Sequence, residues 1–184
     1  FADGLLHHDS QQRTLLPAPA PVFAQDTGSS EFQRLCLNKR TNLTQAVNQA
    51  KALGYADYPA PKPAGIDTMW GMNKTASDGR GWAVVVTQSR VAGAGATPNQ
   101  AYEACNVTGP LGTPNSKAAV KAWVGVAPQE ESPTKVYYVY TERAGKRAAV
   151  NGADEAAMVA AIKSGGFWVL QIEDTDGKTG LTLL

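Results

Sequence analysis

The sequence predicts an α+β fold: an antiparallel sheet with helices packed on one face, arranged as repeated helix-strand-strand units. Three observations carry this. Runs rich in Val, Tyr and Trp, such as Trp82 to Gln88 and Lys135 to Thr141, read as strands. Segments with apolar residues three and four apart read as helices. These alternate as helix, strand, strand from starts near Thr44, Ser116 and Asp154. The rhythm lies in the element types, because the units share too little sequence to be repeats of one another.

Residues 1–30 mix Gln, Ser, Pro and Ala and read as a flexible, proline-rich N-terminal arm. Residues 31–184 read as a single soluble domain. Leu5, Leu6, Leu15, Leu16 and Phe23 are unusual for a solvated arm. They suggest docking on the domain, on another protein or on a second copy of the chain. Arm exchange of this kind is a low-cost route to dimers.

Phe32, Leu35 and Cys36 have the spacing of a short helix, and Ala46, Val47, Ala50 and Leu53 that of a longer one stopped by Gly54. Pro59, Pro61, Pro63 and Gly65 mark a loop. Met69 to Met72 then reads as an edge strand and Trp82 to Gln88 as a strand. The Gly/Ala-rich stretch from Val91 to Pro98 reads as a hairpin loop leading into a strand from Ala101 to Thr108. Ser116 is placed to cap a helix from Lys117 to about Val124, with Ala119, Val120 and Trp123 inward. After the strand at Lys135, Ala144-Gly145 turns the chain into a return at Arg147 to Val150. Ala153 or Asp154 opens a last helix, with Ala157, Met158, Ala161 and Ile162 on its apolar side and Gly165-Gly166 as its stop. Phe167 to Glu173 and Gly180 to Leu183 are the final strands.

The composition narrows the function classes. Seventeen basic and sixteen acidic residues leave a net charge of +1, without the basic excess of a nucleic-acid binder. No apolar run approaches the roughly 20 residues of a membrane-spanning helix. The two histidines, His7 and His8, lie in the arm, and the two cysteines have no CxxC spacing. A zinc site or other metal centre lacks its ligands, and no cofactor is expected. Cys36 and Cys105 are either a disulfide or two buried thiols. Cys105 as a nucleophile lacks a histidine base outside the arm, and GxSxG is absent. Gly177-Lys178-Thr179 resembles the end of a phosphate loop, but Ile172 stands where that loop needs glycine. In Glu173-Asp174-Thr175-Asp176-Gly177 the Asp-Gly step favours a hairpin turn over a calcium loop.

What remains are candidate binding residues. Trp70 beside Met72 suits an adaptable recognition surface. Tyr138 and Tyr140 fall on one strand face, with Tyr137 on the other; one face is core and the other is available for binding. The cluster of Arg143, Lys146 and Arg147 beside Glu142 reads as a solvated hairpin tip. A carboxylate enzyme remains the less favoured alternative, with Glu103 paired to Glu173 or Asp174. Val22-Phe23-Ala24 has signal-peptidase spacing without the apolar core of a signal peptide, so residues 1–30 read as a mature tail. Sequons at Asn42, Asn73 and Asn106 read as coincidence in a bacterial protein.

Phe32 followed by Leu35-Cys36-Leu37, a helix ending in Leu53-Gly54-Tyr55, and Cys105 followed by Val107 together resemble small exported proteins of proteobacteria. The resemblance covers residues 32–108. It implies a periplasmic or secreted home and a Cys36–Cys105 bridge, and it implies no activity. The expectation is a non-catalytic binding or interaction module of the cell envelope.

Overall fold

The computed structural model describes residues 27–38, 42–75, 79–92, 99–110 and 113–184. The expected arm lies outside the described residues as far as residue 26, and so do residues 93–98 of the expected hairpin loop. In chain order the elements are α1 (Thr27–Phe32), a π-helical turn (Gln33–Leu37), α2 (Leu43–Ala52), β1 (Ala56–Asp57), β2 (Thr68–Thr75), β3 (Gly81–Val91) and β4 (Gln100–Pro110). Then follow α3 (Thr113–Val124), β5 (Glu130–Glu131), β6 (Lys135–Arg143), β7 (Lys146–Ala149), α4 (Glu155–Ser164), β8 (Phe167–Thr175) and β9 (Lys178–Leu183). The strands form one nine-stranded sheet in the order β1-β2-β3-β4-β9-β8-β6-β5, and β7 also pairs with β6. Every pairing is antiparallel.

Alternation along the strands separates two faces. On the first lie Met72, Trp82, Val84, Val86, Cys105, Val107, Leu181, Leu183, Leu170, Ile172, Val136, Tyr138 and Tyr140. These join Phe32, Leu35, Leu37, Ala46, Val47, Ala50, Val120 and Val124 from the π-helical turn and the first three helices in one core. The π turn, closed by the Asn38 N–H to the Gln33 carbonyl at 2.9 Å, buries three successive residues, Leu35, Cys36 and Leu37. Cys36 is bonded to Cys105, which ties this turn to the middle of β4. Trp82 lies against Gly109, where an added Cβ would sit 2.0 Å from the indole. Glycine there leaves the room that the ring fills.

The mixed α and antiparallel β architecture agrees with the sequence reading, but the placement of one helix does not. α4 packs on the second face, where Ala157, Met158 and Ala161 meet Val139, Val169 and Phe167 in a separate small core. The helix-strand-strand rhythm is not reproduced: α2 precedes the four strands β1 to β4, α3 precedes the three strands β5 to β7, and α4 alone precedes a two-stranded hairpin. Asp154 caps α4 as expected, its side chain accepting from the Ala157 N–H at 3.0 Å. Ser116 does not cap α3; it lies inside the helix and is buried. Asp176 and Gly177, at φ 51° and 73°, form the tight turn between β8 and β9.

The outer strands are shielded. β1 covers β2 at Met72 and Asn73. Beside it, the Tyr58 N–H bonds the Gly71 carbonyl at 2.7 Å before the proline loop leads away. At the other edge, β5 and β7 share the outer side of β6. Short edge strands and prolines are devices that prevent strand pairing with other chains.

Candidate functional site

Met72, Tyr138 and Tyr140 are 1%, 1% and 0% exposed, in the core beneath the helices. Trp70 is half-buried and packs against the same core. The β6 alternation read from sequence is therefore present, with the Tyr138 and Tyr140 face as its inner side. Tyr137 is half-buried on the second face, against the small core under α4.

Two charged clusters sit within this packing. Lys74 on β2 pairs with Glu31 on α1 at 2.8 Å, and its ammonium lies 4.6 Å from the centre of the Tyr55 ring. Burial, reinforced by the neighbouring Glu31 carboxylate, pushes the Tyr55 hydroxyl above its ordinary range. The second cluster revises the reading of the β6–β7 tip. Arg147 is not solvated: it pairs with Glu142 at 2.7 Å, stacks 3.7 Å over Trp123 and bonds the Trp123 carbonyl. It clamps the end of α3 to the hairpin. Arg143 is exposed and reaches the Ser164 carbonyl at the end of α4, at 3.1 Å. Burial, with a smaller contribution from Glu131, also raises the Tyr138 hydroxyl to about 12. Half-buried Lys135 is raised mainly by its hydrogen bond with Glu130.

The carboxylates considered for acid–base work are not together. Glu103 stands at the start of β4 on the first face, while Glu173 stands at the far end of β8 on the second. Asp174 shares the first face with Glu103 but lies at that same far end, where it accepts from the Thr179 hydroxyl at 2.9 Å. Among the described residues no cluster of His, Cys, Asp or Glu is arranged to hold a metal. No described helix is long and apolar enough to cross a membrane.

One concavity lies at the opposite end of the sheet from the β8–β9 turn. A cleft of about 500 Å³ runs between the start of β4, the start of β8 and the end of α4. Tyr102, Phe167 and Trp168 supply its aromatic walls. Glu103 is the one carboxylate side chain among the described residues that line it, and it accepts from the Gln88 amide at 3.0 Å. Gly165 and Gly166 form the rim, both at positive φ. A Cβ on Gly166 would lie 2.3 Å from the Glu142 carbonyl, so the chain can pass this close to β6 only without a side chain. A smaller groove of about 330 Å³ shares Tyr102 and Glu103 and continues over Thr68, Gln88 and Arg90.

In the sequence, Gly165-Gly166 reads only as a helix stop and Tyr102 only as one residue of a strand. The alternation of β4 already sets Tyr102 opposite in face to Cys105. What it lacks is the register that brings Tyr102 within a cleft's width of Phe167. Against models of known families, curated proteins and solved structures, the chain shows no match.

Proposed function

We propose that this protein is a non-catalytic binding module of an oxidising compartment, periplasmic or secreted, and that its ligand site is the cleft at the open end of β4 and β8. The observation that carries the reading is the lining of that cleft. Three aromatic rings surround a space of small-ligand size, with Glu103 and Gln100 as its polar groups. Concave sites that are mostly apolar with a few placed polar groups are the usual form of ligand pockets. The Cys36–Cys105 disulfide supports the compartment, because such bonds persist where thiols are not kept reduced. Separation of Glu103 from Glu173 and Asp174 favours binding over carboxylate catalysis, which needs two such groups across one substrate.

The test is a two-dimensional NMR titration with a panel of amino acids, aromatic amines and short peptides. A ligand of the cleft moves the resonances of Tyr102, Glu103, Phe167 and Trp168 together, and Tyr102→Ala removes the response. A panel that moves residues elsewhere, or none, would sink the assignment.

A further inference from the structure

Asn151-Gly152 is the one Asn-Gly step in the sequence. It lies in the turn between β7 and α4, at the opposite end of that helix from the cleft, and both residues are exposed. Two hydrogen bonds set its chemistry. The Asn151 side-chain oxygen Oδ1 accepts from the Ala153 N–H at 3.1 Å. This turn folds the carboxamide back over the next peptide, and the bond draws electrons from the carboxamide carbon Cγ. The Gly152 N–H donates to Gln129 Oε1 at 2.9 Å. Gln129 is itself fixed beside β6, its own N–H bonded to the Tyr137 carbonyl at 2.8 Å. The backbone does not require glycine at 152. Its φ lies outside the left-handed region, and a Cβ would meet Gln129 Oε1 at 3.6 Å and Val139 Cγ2 at 3.7 Å, which is ordinary contact.

We propose that Asn151 is a site of spontaneous deamidation and that Gln129 controls its rate. The reactants are the chain itself and water. The Gly152 nitrogen gives up its proton to solvent base and bonds to Asn151 Cγ. The Cγ–Nδ2 bond breaks, and Nδ2 takes a proton from solvent and leaves as ammonia. The product is a cyclic imide, which water then opens. Opening at Cγ leaves aspartate, and opening at the main-chain carbonyl leaves a β-linked isoaspartate. No atom is oxidised or reduced. Because the amide nitrogen is planar, the new N–Cγ bond takes the direction that the N–H bond had. In the structure that direction is filled by Gln129. The nitrogen reaches Cγ only when this hydrogen bond opens and the peptide turns. Either product places a carboxylate just ahead of the α4 cap. Aspartate keeps an oxygen for the Ala153 N–H. Isoaspartate routes the backbone through Cβ and Cγ, so the carbonyl that accepts the Asp154 N–H at 3.1 Å leaves the main chain. The turn that presents the Asp154 cap is then lost, and α4 loosens at its first turn.

The full chain is incubated in mildly alkaline buffer, digested with trypsin and read by mass spectrometry over residues 148–163, which lie between the cuts at Arg147 and Lys163. Acid should accumulate at Asn151 before any other described asparagine. Gln129→Ala should speed this roughly fivefold in the folded chain, the factor that one hydrogen bond of ordinary strength supplies. Gln129→Glu, which keeps an acceptor, should stay near the parent rate, and in guanidinium chloride all three chains should react alike. Gly152→Ala should slow the reaction roughly tenfold or more, folded or unfolded, since a β-carbon crowds the nitrogen. Acid appearing first at another described asparagine overturns the site. A Gln129→Ala chain that reacts at the parent rate overturns the control by Gln129. So does an acceleration accompanied by faster hydrogen exchange throughout β3, because loss of the fold would then be its cause. Chains carrying isoaspartate should exchange the α4 amides faster than unmodified chains, and equal exchange overturns the coupling to the helix.

Discussion

Lys74 connects three parts of the chain at once, and its removal has a calculable cost. Its partner Glu31 has a side chain only 11% exposed, and the second oxygen of that carboxylate has no hydrogen-bond partner among the described residues. Lys74→Met therefore leaves a nearly buried charge uncompensated, which costs about 3 kcal/mol or more. Adding Glu31→Leu removes that charge and should restore most of the loss, as read by denaturant unfolding. If the single and double variants lose the same amount, the pair is not what holds α1 to β2. The tyrosines give a second prediction. A hydroxyl raised from its ordinary value near 10 holds its proton more tightly in the folded state than in the unfolded state. The contribution is fully present below pH 10 and is lost as pH rises from 10 through about 12 for Tyr138. Over that window Tyr138 should make unfolding free energy fall by roughly 1.4 kcal/mol per pH unit. Tyr138→Phe should flatten the slope by that amount, and an unchanged slope would show that Tyr138 ionises as freely in the fold as outside it.

At the scale of elements, α4 stands apart from the other helices. Among the described helices it alone packs on the second face, over a small core whose buried residues are Val139, Val150, Ala161 and Val169. A helix with so little apolar cover opens locally at a lower free energy than the central strands. Its amides should exchange well before those of β3 and β4. Asp154→Ala, which removes the bond to the Ala157 N–H, should cost about 1 kcal/mol and speed exchange within α4 alone. Exchange that speeds equally in β3 would show that α4 is part of the global unit. This helix also marks where sequence reading stops. Its cap at Asp154, its glycine stop and its stripe of Ala157, Met158 and Ala161 are local signals and are all present. A stripe says that one side is buried, and nothing in it says against which face of the sheet. The same holds for the cleft: Tyr102 and Phe167 are each placed correctly on a strand, yet the pairing of β4 with β9 that brings them near each other joins residues far apart in the chain. The clamp of Arg147 on Trp123 is illegible in the sequence for the same reason, since Arg147 is on β7 and its partner is on α3.

For the whole molecule, the order of strands determines how the parts stand or fall together. The first four strands form one meander, and β5 to β8 a second group; β9 is the strand that joins them, bonded to β4 on one side and β8 on the other. Its inward residues Thr179, Leu181 and Leu183 are all buried, so neither half keeps its core if the strand leaves. The disulfide sits at this junction: Cys105 lies directly opposite Leu183, and Cys36 brings the helical layer onto it. Its two cysteines are 69 residues apart in sequence. Releasing a loop of that length adds freedom to the unfolded chain worth about 4 kcal/mol in the chain-entropy model. Cys36→Ala with Cys105→Ala should lower unfolding free energy by about that amount, a large fraction of the 5–15 kcal/mol typical of a domain. Because β9 couples the halves, the loss should shift a single transition. Signals from Trp82 on β3 and Trp168 on β8 should therefore move to the same lower denaturant midpoint. Two separated midpoints would mean that the disulfide, and not the shared strand, makes the sheet one cooperative unit. In reducing buffer the native protein should approach the variant's midpoint, which ties its stability to a compartment that keeps the bridge closed.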